Sequence, residues 1–167
     1  MSRLSSFLRS PVQVLGTALA CAVVFSLVWV ARATTGSAPA PVVVSEGGSG
    51  AAGGATWRLE ALATLDELPS GLSVTEPAPG AVFVVATFRY DSGLDTLYCT
   101  ARLVGDGREW NAIFSTPVDP SASSGCDGRP SGTGEVAFEV PGSAVAELAG
   151  IEIRSGAEAV RLLGRVQ

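Results

Sequence analysis

The sequence has no histidine and no lysine, and these two absences remove most side chains that catalyse at neutral pH. Without imidazole there is no Ser-His or Cys-His dyad and no zinc site of the common kinds. Without lysine there is no Schiff base and no Ser-Lys dyad. A Gly-x-Ser-x-Gly elbow and a P-loop are also missing. The expectation is a non-enzymatic chain with no catalytic residue, no cofactor and no metal site.

Charge is scarce at one end and one-sided at the other. Arg3, Arg9 and Arg32 are the only charged side chains in the first 45 residues. From Glu46 onward, sixteen acids stand against eight arginines, a net charge of −8. A segment this acidic lacks the clustered cations that phosphate contacts require, so no nucleic-acid partner is expected. It is also repelled by anionic lipid head groups.

One long apolar run is present, Pro11 to Ala31, with Gln13, Thr17 and Ser26 as its only polar side chains. Twenty-one residues at about 1.5 Å each would make a helix of roughly 30 Å, the thickness of a bilayer's hydrocarbon core. The predicted organisation is a cytoplasmic stub over 1–10 and a transmembrane signal-anchor helix over 11–31. Arg3 and Arg9 before the run place the N-terminus inside and the C-terminal part outside the cell membrane. Two other fates stay open: cleavage at Ala31-Arg32-Ala33 with release of a secreted domain, and lipidation at Cys21 behind Ala18-Leu19-Ala20. The length of the run favours the retained anchor, since signal peptides carry only about 7–15 apolar residues.

Residues 32–55 are rich in Gly, Ser, Pro and Ala and read as a tether, with Val42-Val43-Val44 able to add a short edge strand. Residues 56–167 read as one extracytoplasmic domain built on a period of two. Trp57, Leu59, Ala61 and Ala63 are expected on one face of the first strand. In AVFVVATFRY, Val82, Val84, Ala86, Phe88 and Tyr90 form an unbroken apolar face, which makes this the central strand. Leu97, Cys99, Ala101 and Leu103 are expected inward in the next, and Gly105-Asp106-Gly107 is a hairpin turn. Trp110, Ala112 and Phe114, then Val136, Phe138 and Val140, continue the pattern. AVAEL suggests a single helical turn before IEIR and AVRLLGRV. About seven short strands with almost no helix predict an antiparallel β-sandwich.

Cys99 and Cys126 are the only cysteines outside the apolar run. Beyond a membrane they are expected to form a disulfide that staples the long 115–134 loop to the sheet. Closing about 28 residues stabilises the fold by on the order of 3.5 kcal/mol. Asp106 with Glu109 could serve as a glycosidase-like carboxylate pair, and Asp119 with Asp127 could hold calcium. A solvated turn and a solvated loop account for both. The other face of the central strand is apolar too: Phe83 and Val85 beside Arg89 need a cover, either the domain's own loop or a partner protein.

Trp57 opening the first strand, FVVATFRY at 83–90, and Cys99 and Cys126 flanking a Gly/Asp-rich region before GEVAFEVP at 134–141 carry a family likeness. Together they resemble small immunoglobulin-like domains that actinobacteria export, many behind an anchor. The resemblance implies an all-β, immunoglobulin-like sandwich behind one N-terminal transmembrane helix, and carries no catalytic or binding residue with it. The expected role is an accessory or partner-binding module of the cell envelope, with an envelope protein as partner. The alternative is a ligand-binding or carbohydrate-active β-domain working through carboxylates.

Overall fold

The computed structural model describes residues 19–30, 39–68, 76–113, 123–126 and 128–167. They belong to two separate units, residues 19–30 to one and the chain from Pro39 onward to the other.

Residues 19–30 are α-helical and expose apolar side chains on every side, Leu19, Phe25 and Trp29 each by about two-thirds. Twelve residues rise only about 18 Å. Among the described residues no helix is long and apolar enough to cross a membrane. The span expected over 11–31 is therefore seen as helix only over 19–30, and 11–18 and 31 lie outside the described residues. Cys21 is exposed and unbridged.

From Pro39 the chain is β-structure. The strands are β1 Val42–Val44, β2 Ser49–Ala52, β3 Ala55–Leu65, β4 Ala81–Ser92, β5 Thr100–Gly105, β6 Arg108–Asn111, β7 Ser123–Ser124, β8 Ser131–Pro141, β9 Leu148–Ser155 and β10 Glu158–Leu163. A 3-10 helix, Gly142–Glu147, joins β8 to β9 where a helical turn is predicted. Two five-stranded sheets result, ordered β1-β10-β9-β5-β6 and β2-β3-β4-β8-β7. Pairing is antiparallel except for β1 with β10 and β7 with β8. Seven of the strands answer to the seven predicted, and β1 is the predicted edge strand. β2 and β7 add to them.

A single core joins the sheets into a sandwich. Trp57, Phe88 and Phe138 of one sheet pack in the same cluster as Leu103, Ile151, Ile153 and Val160 of the other. Trp57 sits at its centre, with its ring 6.2 Å from Phe88 and 5.8 Å from Tyr90. Its indole N–H donates to the Ala52 carbonyl at 2.9 Å, so the one polar atom of the ring is satisfied.

Three expectations are corrected here. In β3, the pairing with β4 shifts register between Leu59 and Ala61. This bulge adds one residue and reverses the faces beyond it. Leu62 therefore turns into the core while Ala61 and Ala63 are only half-buried.

The predicted tether over 32–55 is folded from Pro39 onward, because β1 and β2 are sheet strands. Small residues are needed there: a Cβ on Gly50 would stand 2.5 Å from both Val44 and Val160. Ala112, predicted inward beside Trp110, is exposed, since β6 ends at Asn111. Phe114 lies outside the described residues.

Candidate functional site on the outer face of one sheet

The predicted interaction surface is not open. Phe83 and Val85 are 0% and 5% exposed. They form a second small core with Leu68 and Ala137, against which Leu65 and Ile113 pack. Ile113 is held there by its N–H bond to the Ala137 carbonyl at 2.9 Å. Chain flanking β3 and β6 thus covers the outer side of β4. Arg89 is exposed and pairs with Glu60 at 3.4 Å.

Cys99 and Cys126 do meet. They stand at disulfide distance, with Cα atoms 5.4 Å apart, one just before β5 and the other between β7 and β8. The contact links the segment entering β5 of one sheet to the β7–β8 connection of the other. Beside it lies a cleft of about 610 Å³ lined by the pair itself, Thr100, Arg102, Asn111 and Ile113.

Asp106 occupies the β5–β6 turn at φ 41°, followed by Gly107 at φ 72°, as a tight hairpin turn of this type requires. Its neighbour Glu109 accepts a bond from Arg102 at 2.7 Å. Glu109 is thus taken up in a surface ion pair while Asp106 shapes the turn. Asp119 and Asp127 lie outside the described residues.

The sheet β1-β10-β9-β5-β6 builds a different constellation on its outer face. Ile151 and Ile153 point into the core, so Glu152 and Arg154 point away from it. Glu152 is nonetheless 1% exposed. Register places Arg161 of β10 directly across from it on one side and Arg102 of β5 directly across on the other.

Arg154 reaches Glu152 Oε1 through Nε at 2.9 Å and Nη2 at 2.8 Å. Arg161 Nη2 reaches Oε2 at 2.8 Å. Burial pushes the Glu152 carboxyl up. Hydrogen bonds from Arg161 and Arg154, with the charges of the same two groups, outweigh burial and hold it below the ordinary carboxylate value.

Arg161 is only partly satisfied. Its Nε is buried and has no acceptor among the described residues. Its side chain borders a depression of about 260 Å³ whose apolar lining is Val43, Val104, Ala149 and Leu163. One rung of the sheet therefore runs Val43, Arg161, Glu152, Arg102, Asn111, with Arg154 beside it. Chemically this is a fixed, net-positive patch next to a hollow that is apolar on one side and lined by Asp106, Arg108 and Glu109 on the other. Guanidinium groups held in this way are suited to receiving carboxylates.

Sequence reasoning passes over this cluster because I-E-I-R reads simply as a strand with charges outward. The turn after Ser155 was the available signal. Pairing Ser155 with Glu158 sets Glu152 opposite Arg161 by counting back along both strands.

No family model matches the chain, and no curated protein or solved structure matches it either.

Proposed function

We propose that the chain is a membrane-anchored, non-enzymatic binding module that displays an immunoglobulin-like sandwich outside the cell. The observation that carries the binding role is the outer sheet face on which one buried carboxylate fixes Arg154 and Arg161. The absence of histidine and lysine from the sequence supports the non-enzymatic part.

Strand order supports the immunoglobulin-like assignment. β6-β5-β9-β10 follows the C′-C-F-G order of a variable-type sheet, and β3-β4-β8-β7 follows A-B-E-D. The anchor rests on the apolar run 11–31 and its preceding arginines.

Two measurements on intact cells test the proposal. A reporter fused after Gln167 should be active only on the outer side, and activity confined to the cytosol overturns the topology. A photocrosslinker at position 100, between the arginines and the cleft, should capture a discrete envelope protein. Failure to capture any overturns the binding role.

A second reading, a small-ligand domain, is favoured by the cleft beside Cys99 and Cys126, whose volume falls in the range of ligand sites. A rise in melting temperature on adding saccharide or calcium would support it, since ligands stabilise the state they bind.

A further inference from the structure

We propose that the outer face of β10, β9 and β5 docks an acidic, aliphatic-bearing segment of a partner protein, its carboxylates received by Arg102, Arg154 and Arg161. This rests on the binding-module reading above and names the chemistry of the partner.

Charge distribution is the first argument. From Glu46 on the chain carries −8, yet this face sets Arg102, Arg154 and Arg161 against Glu109 and Glu152, with Arg108 and Asp106 at the rim of the adjoining depression. It is a positive patch on an acidic body. The surrounding negative field disfavours acidic segments that do not reach the arginines, which sharpens selection.

Preorganisation is the second. Arginine side chains lose much rotamer freedom when they bind. Here Glu152, buried at 1% exposure, already holds two of them. Arg154 spends Nε and Nη2 on it, and Arg161 spends Nη2. The ordering cost is met by the fold before any partner arrives. Arg161 is positioned for this at the expense of its own Nε, which has no acceptor among the described residues.

The hollow is the third. Val43, Val104, Ala149 and Leu163 form the apolar side of a depression adjoining Arg161, with Asp106, Arg108 and Glu109 on its other side, large enough for an aliphatic side chain. An extended segment puts side chains i and i+2 on one face. A Glu-x-Leu-x-Glu sequence would therefore present carboxylates and an aliphatic group together.

The probe is the peptide acetyl-Glu-Ser-Leu-Ser-Glu-amide, titrated calorimetrically into the full chain in non-ionic detergent, with acetyl-Gln-Ser-Leu-Ser-Gln-amide as its control. The Glu peptide should bind at least tenfold more tightly than the Gln peptide. Arg102→Gln should weaken it about tenfold, the loss of roughly one charge-assisted contact. Among the described residues the ion pair of Arg102 is with the exposed Glu109, so this variant should keep the wild-type melting temperature.

Arg165→Gln, at a side chain 89% exposed and outside the rung, should bind as wild type does. Equal binding of the two peptides, no binding at millimolar concentration, or equal loss in the two variants overturns the proposal. So does self-association of the chain that Arg102→Gln abolishes, because the occupant would then be a second copy. If the crosslinked envelope protein is captured equally by wild type and Arg102→Gln, this proposal falls while the binding-module reading stands.

Discussion

Replacing Glu152 by glutamine isolates the charge at the centre of the patch while keeping its volume. The amide oxygen still accepts one guanidinium, and its NH₂ is presented to the other. Breaking a fully buried ion pair costs about 3–5 kcal/mol. The partner side chains of Glu152 are 36% and 34% exposed, so water screens the stranded guanidiniums, and roughly 2–3 kcal/mol is expected at pH 7. For a unit of this size that lowers the melting temperature by about 8–12 °C.

The pH dependence then tests the cause. The folded-state pKa of Glu152 lies below its ordinary value. The carboxylate's contribution is therefore complete above the unfolded value of about 4.3 and is lost as pH falls through the folded value. Thermal unfolding of wild type and Glu152→Gln, followed by tryptophan fluorescence, should show the full gap at pH 7. The gap should narrow steadily below about pH 4, because a protonated Glu152 resembles glutamine. A gap as wide at pH 3 as at pH 7, or none at pH 7, would refute the charge-based account.

Three further outcomes are expected. Reducing the natively exported protein, or replacing Cys99 and Cys126 by serine, should cost on the order of 3.5 kcal/mol by denaturant unfolding; two free thiols in the untreated protein by mass spectrometry would contradict the bridge. Phe83→Ala should destabilise by about 3–4 kcal/mol, since Phe83 is fully buried; wild-type stability with loss of a crosslinked partner would instead make it an interface residue. Gly150→Ala should cost several kcal/mol, as position 150 has φ 149° and a Cβ there would collide with the Leu162 backbone carbonyl; hydrogen exchange at β9 and β10 is the local readout.

What could be read in the sequence and what could not divides along physical lines. The central strand was legible because Val82 to Tyr90 is apolar on alternate positions without interruption. The turn at Asp106-Gly107 was legible because few residues accept its dihedral angles. The faces of β3 beyond Leu59 were not, since a bulge leaves no mark in composition yet reverses every later side chain.

β2 was hidden for the opposite reason. Ser-Gly-Ala-Ala looks like a linker, but Val44 and Val160 crowd the backbone at Gly50 and leave no room there for a side chain. Sequence showed that Phe83 and Val85 needed a cover; only tertiary structure shows that Leu68 and Ile113 supply it. The patch around Glu152 was illegible because it spans three strands, and only the register of β5, β9 and β10 brings its members together.

The parallel pairing of β1 with β10 has a mechanical consequence. Val42, Val43 and Val44 lie beside Val160, Arg161 and Leu162 with both strands running the same way. Tension applied from the residue-39 side against Gln167 pulls these neighbours lengthwise past each other. Their rungs share the strain and rupture together, where an antiparallel hairpin tugged at its open end would unzip one rung at a time. A head held by such a clasp resists stretching far better than its three-residue seam suggests.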